Sequence, residues 1–364
     1  MSSLKIGIVG LPNVGKSTLF NAVLKKQQAL SANYPFATIE PNIGIAEVVD
    51  VRVDQLADLS SSVKKTYSTV ELVDIAGLVK GAHKGEGLGN QFLANIREVD
   101  LILIVLRGFT DSNIVIEGSK SPEQDFEVIT TELLLKDLET VNKALESRKK
   151  SRVESPELNA LEKVVAGIEK SLLIKDIKFS EKEREVVDQF QFLTDKPILR
   201  VLNVDEDKLS LHQHLGGVGD NTSGLPAQAG VLENLMVSAK LESELSVLNQ
   251  QDQELFLEEL GLKESPLNRI VRHAYKTLGL ISFLTTGKDE SRAWAIKKGS
   301  VAPKAAGVIH TDFENKFIKA KVVDFNEFIQ LGGWLQAKET GKLRLEGKEY
   351  IVKDGDVIEF MIGG

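Results

Sequence analysis

The chain has no cysteine among its 364 residues. Disulfides, thiolate nucleophiles and cysteine-ligated zinc or iron–sulfur centres are therefore excluded, and a reducing compartment is compatible with that lack. No segment approaches the roughly 18 consecutive apolar residues of a membrane span, so no membrane partner is expected. Basic charge is also short: 45 Lys and Arg face 53 Asp and Glu, a formal charge of -8. That balance argues against a general nucleic-acid coat and against DNA as a partner, but leaves room for a local basic face. What the chain does have is enough apolar material, 42% of residues, to fill two or three cores of ordinary size. Its first residues, Met1 to Val9, do not read as a signal peptide, because they are needed as the strand that leads into the loop at Gly10.

That loop is the strongest signal. Leu4 to Val9 reads as a buried strand, Gly10-Leu-Pro-Asn-Val-Gly15-Lys16-Ser17-Thr18 follows, and Leu19, Phe20, Ala22, Val23 and Leu24 take up helical spacing. This is the phosphate-binding pattern in its required strand–loop–helix setting. Glycines at 10 and 15 allow close backbone approach. Amides around Asn13, Val14, Gly15, Lys16, Ser17 and Thr18 can face a β-phosphate at the helix N-terminus. Lys16 is expected to bridge the β- and γ-phosphates, and Ser17 to place its hydroxyl on Mg²⁺.

Further parts of a nucleotide switch follow in order. Val70 to Asp74 is a second apolar strand ending in an acid, and Asp74-Ile-Ala-Gly77 resembles the DxxG element of G proteins. Asp74 would hold Mg²⁺ through water, and the Gly77 amide would sense the γ-phosphate. Thr38 lies 21 residues after Ser17, before the strand Ile43 to Val49, where a switch threonine would complete the metal shell. Turn chemistry is the plainer reading of that threonine taken alone. Residues 80–89 hold four glycines and suit a second switch loop. His83, within it, is a candidate for approaching the γ-phosphate or a water. Leu78 stands where many GTPases carry a water-orienting glutamine, so intrinsic hydrolysis is expected to be slow, with Thr38, Mg²⁺ and Lys16 supplying much of the stabilisation.

Leu101 to Leu106 and Pro197 to Asn203 are nearly continuous apolar strands, and Leu235 to Ser238 is a shorter one, as in a parallel sheet covered on both faces. A helix is predicted between strands at Leu88 to Glu98. The expected base-reading segment is Asn203-Val204-Asp205-Glu206. Its asparagine matches the NKxD pattern, but Val204 replaces the lysine and Glu206 replaces the aspartate. Strict guanine selectivity is not expected from that set. Ser238-Ala239-Lys240 resembles the element that approaches the base edge.

Two modules interrupt or follow the sheet. Thr131 to about Lys150 and Pro156 to Leu173 carry apolar stripes and are predicted to pack as an antiparallel helical, coiled-coil-like arm. Its bland reading is a structural insertion; its functional one is a docking arm. Ser265-Pro266 reads as the cap of a helix over Leu267 to Leu280. Beyond it, short strands are predicted at 281–285, 291–296, 317–323 and 357–361, with 325–335 less clear. Residues 288–321 hold eight Lys or Arg and four Asp or Glu, so 8 - 4 = +4, a face that could attract rRNA or tRNA phosphate or simply be solvated.

Taken together, Gly10 to Thr18, Asn33 to Gly44, Asp74 to Asn90, Asn203 to Glu206, Arg292-Ala-Trp294, Lys304 to Phe313 and Gly341 to Asp356 resemble the Obg-like ATPase family of the YchF type, over nearly the whole chain. The resemblance implies an α/β fold: a G-domain-like P-loop NTPase sheet at 1–128 and 185–280, an inserted helical arm at 129–184, and a ubiquitin-like mixed α+β TGS domain at 281–364. It implies a cytoplasmic, Mg²⁺-dependent protein that binds ATP, hydrolyses it slowly and associates with ribosomes or translation components. Members also tend to carry a hydrophobic residue at the glutamine position, as Leu78 does, and a histidine in the loop after the third strand. Thr110 to Gly118 has no histidine, which leaves His83 as a compensating candidate. A GTPase of the same group, and a nucleotide-dependent scaffold with incidental hydrolysis, remain open alternatives.

Overall fold

The computed structural model describes residues 4–30, 42–75, 88–110, 121–149, 156–209 and 235–363. The N-terminal half builds β1 (Lys5–Val9), α1 (Lys16–Leu30), β2 (Ile43–Val48), α2 (Val51–Ser60), β3 (Lys64–Thr66), β4 (Ser68–Asp74), α3 (Leu88–Arg97) and β5 (Leu101–Arg107). Then come α4 (Pro122–Lys149), α5 (Pro156–Glu169), α6 (Glu181–Asp188), β6 (Ile198–Asn203), β7 (Leu235–Val237), α7 (Ala239–Leu245), α8 (Gln250–Glu259) and α9 (Pro266–Thr277).

The first sheet runs β2-β4-β1-β5-β6-β7. Only β2 is antiparallel to its neighbour. Leu101 to Leu106 are all buried, as the unbroken apolar run requires. On one face Leu19, Phe20 and Val23 of α1 pack beside Ile270, Val271 and Ala274 of α9. Phe92, Leu93, Ile96, Ile129 and Leu133 cover the other. A buried carboxylate ties the helices together: Glu242 of α7 accepts from Lys26 Nζ of α1 at 3.0 Å and from the Leu267 amide of α9 at 2.8 Å. Ser265 caps α9 as its sequence suggests, accepting from the Asn268 amide, with proline in the first turn.

The helical arm differs from expectation at both ends. Helix α4 starts at Pro122, nine residues before the predicted Thr131, because Ile129 and Leu133 cover the sheet before Val141 and Leu145 enter the arm. Helix α5 stops at Glu169 rather than Leu173: Ser171 takes a left-handed φ of 57°, and Leu172 is left 44% exposed. Asp137 of α4 anchors the arm's base, accepting from the Leu193 and Thr194 amides, each at 2.8 Å.

The carboxy-terminal strands are β8 (Leu280–Thr286), β9 (Glu290–Lys297), β10 (Phe317–Asp324), β11 (Arg344–Glu346) and β12 (Asp356–Ile362). Helices α10 (Ala302–Ile309), α11 (Thr311–Asn315), α12 (Phe325–Leu331) and α13 (Trp334–Glu339) complete this mixed α+β domain. The unclear 325–335 stretch thus holds α12 and the start of α13; Asp324 caps α12 and Gly332 ends it at φ 83°. The sheet order is β11-β10-β12-β8-β9-β3. Its last strand comes from the N-terminal half: β3 runs parallel to β9. Val53 and Leu56 of α2 are fully buried with Leu284, Val323, Phe328 and Val357. Arg52 joins Asp50, at 2.7 Å, to Asp354, at 2.8 Å. Burial works against the Arg52 charge, yet hydrogen bonds and the charges of the two aspartates outweigh it and hold Arg52 above its ordinary value.

Candidate phosphate and base site

The parallel pairing of β1 with β4 and β5 decides where the loop chemistry sits. Ile8 lies opposite Asp74 in one ladder, and Val9 lies opposite Ile104 in the other. Strand ends carrying the loop and the acid therefore emerge side by side. The Gly10 position has no room for a side chain: a Cβ there would lie 2.7 Å from Val14 and 2.9 Å from the Val105 carbonyl. Asn13 and Gly15 both take positive φ, 63° and 90°. Alternation of hand along a loop turns successive amides toward one side, the geometry of an anion-binding nest. Helix α1 has no acidic residue in its first turn, so nothing there opposes an anion.

Lys16 is buried, and its ammonium contacts the Asp74 carboxylate directly. Ser17 and Thr18 are exposed, next along the same turn. A lysine and an aspartate that satisfy one another here can both be redirected when an anion and a cation arrive together. The hydroxyl of Ser17 and the carboxylate of Asp74 are hard oxygen donors suited to Mg²⁺, which commonly keeps waters and phosphate oxygens in its shell. No group of three His, Cys, Asp or Glu able to hold a metal occurs among the described residues. That donor set fits a metal that comes with its nucleotide.

Asn203 stitches the loop to the far strand ends. Its Nδ2 donates to the Val14 carbonyl at 2.9 Å, and its Oδ1 accepts from the Ala239 amide at 2.9 Å. A Cβ on Gly15 would fall 2.2 Å from the same Nδ2. Val204 turns its side chain into a cluster with Leu209, Leu241 and Leu245. The Ser238 hydroxyl caps α7, accepting from the Leu241 amide at 3.3 Å. Three sequence candidates thus have internal duties: Val204 in the core, Ser238 as a cap, and the Ala239 amide on Asn203. Glu206, by contrast, is only partly buried and lies 3.3 Å from Lys240 Nζ. Thr38, Gly77, Leu78 and His83 lie outside the described residues, as do residues 111–118 of the loop lacking a histidine.

Lys304 and Lys321 of the +4 stretch at 288–321 are paired in the fold, with Glu314 at 2.5 Å and with Glu359 at 3.1 Å respectively. The Arg292 guanidinium stacks 4.0 Å above Trp294. Lys297, Lys298, Lys316 and Lys319 are exposed.

A glycine-bounded loop at the end of a parallel strand, a buried lysine on the neighbouring strand's aspartate, and an asparagine lock to a third strand define a P-loop nucleoside triphosphatase with a G-domain-like sheet. Comparison with known proteins agrees. Residues 5–149 match the family model described as 50S ribosome-binding GTPase, and residues 280–363 match the carboxy-terminal YchF GTPase model, described as a protein of unknown function (DUF933). The chain is 45% identical to the ribosome-binding ATPase YchF of Bacillus subtilis, over 98% of this chain and 99% of that one. It is 46% identical to its namesake in Escherichia coli O157:H7, over 98% of both. The solved YchF GTPase of Schizosaccharomyces pombe superposes with a TM-score of 0.84 at 34% identity, over 99% of this chain and 98% of that one. The chain belongs to the YchF family. Among the described residues, no helix is long and apolar enough to cross a membrane.

Proposed function

We propose that the chain is a Mg²⁺-dependent switch that binds ATP, hydrolyses it slowly to ADP and phosphate, and uses its nucleotide state to control association with the ribosome in the cytoplasm. The observation that carries this reading is the Lys16–Asp74 contact beside the exposed Ser17 hydroxyl. The names of the bacterial relatives support ATP and the ribosome. In this account the amides of Asn13 to Thr18 hold the β-phosphate. Lys16 leaves Asp74 for the β- and γ-phosphates. Ser17 and Thr38 would ligate Mg²⁺ directly, and Asp74 would do so through water. Bound Mg²⁺ supplies charge neutralisation on the phosphates. The Gly77 amide senses the γ-phosphate. His83 is the candidate for the water that Leu78 cannot orient. The mixed α+β domain is assigned as a TGS domain, and the exposed lysines at 297, 298, 316 and 319 are its candidate rRNA or tRNA contacts.

Co-sedimentation with purified ribosomes tests the switch. Mg²⁺ with a non-hydrolysable ATP analogue and Mg²⁺ with ADP should give at least severalfold different pelleting, and Lys16→Ala should abolish the difference. Equal pelleting in both nucleotide states would contradict a switch.

A further inference from the structure

Past Asn203 the chain places one charged pair at the strand ends beside the phosphate loop. Glu206 Oε1 faces the Lys240 ammonium at 3.3 Å, and Glu244, one helical turn along α7, lies 3.8 Å from the same ammonium. The side chains are 31% and 76% exposed for Glu206 and Lys240, and the Glu206 oxygen that faces the ammonium is itself buried without a hydrogen-bond partner. Their mounting, however, is rigid. Asn203 locks the Ala239 amide to the phosphate loop, Ser238 caps α7, and Val204 and Leu241 are buried. Lys240 therefore starts from a fixed point on the site's rim.

Base chemistry gives this pair a meaning. Guanine presents two adjacent donors, N1–H and the N2 amine, and a carboxylate reads them with both oxygens. In this chain a cation faces one of those oxygens, so a donor stands where a second acceptor is needed. Adenine presents the opposite pattern: an acceptor at N1 beside a donor at the N6 amine. A lysine beside a glutamate is the complement of that edge. The neighbouring carboxylates, Glu206 first and then Glu244, hold the Lys240 pKa above its ordinary value.

We propose that Lys240, acting beside Glu206, is a specificity-determining residue that selects adenine, its ammonium donating to N1 while Glu206 accepts from the N6 amine. The proposal rests on the nucleotide-site reading above and adds to it the residue that reads the base. Asn203 and Glu206 alone would leave a carboxylate free to accept from guanine. The lysine turns that carboxylate into half of a donor–acceptor pair.

Calorimetric titration of the full chain with ATP, GTP and 1-deaza-ATP in Mg²⁺ tests it, using wild type, Lys240→Met and Lys16→Ala. Lys240→Met should lower the ATP-to-GTP affinity ratio about tenfold, or about 1.4 kcal/mol. ATP binds more weakly in that variant and GTP more tightly, because both Glu206 oxygens become available. Wild type should bind 1-deaza-ATP about tenfold more weakly than ATP, and Lys240→Met should bind the two alike. A merely structural lysine would not produce that cycle. An unchanged ratio in Lys240→Met, a wild type that prefers GTP, or a wild type indifferent to loss of N1 overturns the proposal. If these occur while binding still depends on Lys16, the nucleotide site stands and only the base assignment falls. If wild type binds no nucleotide, or Lys16→Ala binds as well as wild type, both fall together.

Discussion

Lys65 of β3 lies in parallel register with Ser291 of β9. A strand encoded before residue 70 therefore completes the sheet of a domain encoded after residue 280. The join is dense: the Val63 amide donates to the Lys288 carbonyl at 2.9 Å, Ser62 Oγ to the Gly287 carbonyl at 2.6 Å, and Thr66 Oγ1 to Glu290 at 2.5 Å. Two residues after Thr66 the chain enters β4, which ends at Asp74. The strand that ends at Asp74 is thus continuous with the edge of the other domain.

Because both tryptophans, Trp294 and Trp334, lie in the carboxy-terminal domain, their fluorescence reports its unfolding. Leu56→Ala removes a fully buried side chain supplied by α2. Urea unfolding followed by tryptophan should show a loss of about 2–5 kcal/mol. An unmoved tryptophan transition would mean that the 51–66 segment is not part of that core.

Gly15→Ala should be far more damaging to nucleotide binding than an alanine at an ordinary loop position. The added Cβ would meet Asn203 Nδ2, and the φ of 90° is strained for any L side chain. A drop of at least tenfold in nucleotide affinity is expected by calorimetry, with the fold kept by circular dichroism. Unchanged affinity would show that the Asn203 lock is dispensable.

Asp137 predicts a pH effect whose sign is fixed by its environment. Burial pushes its carboxyl up to about 6, against the hydrogen bonds from Thr194 and Leu193 that favour the charged form. The folded value lies above the unfolded one, so the folded state holds the proton longer. Stability from this group is fullest below about pH 4 and declines as pH rises through 6, by about 3 kcal/mol in all. Wild-type stability relative to Asp137→Asn should therefore fall across that window when denaturant unfolding is repeated at successive pH values. A difference independent of pH would show that Asp137 is ionised throughout.

Much of this was legible in the sequence because strong local rules agreed with the fold. The loop at 10–18, the all-apolar run at 101–106 and the Ser265-Pro266 cap each carry their own signal. The base-site set was legible as a list but not as a geometry. Nothing in the string tells that Ser238 and Ala239 are spent on a cap and on Asn203, or that Lys240 faces Glu206. The cross-domain strand was not legible at all. Lys64-Lys65-Thr66 is three residues long, two of them lysines, and has no alternating pattern to mark it as a sheet edge. The preceding helix had a readable cap in Asp50 but no local hint that Val53 and Leu56 face a core more than 200 residues away. The ends of the helical arm were missed for a related reason: apolar spacing continues through Leu172, while the backbone turns at Ser171.

The most direct test is titration of nucleotide-stripped protein with Mg²⁺·ATP, for wild type and Lys16→Ala side by side. The account predicts one-site binding in wild type, at least tenfold tighter for ATP than for GTP, and a loss of at least a hundredfold in the variant, about 2.7 kcal/mol or more. Wild-type binding that survives Lys16→Ala unchanged would contradict it, because the phosphates would then be held somewhere other than the Lys16–Asp74 couple.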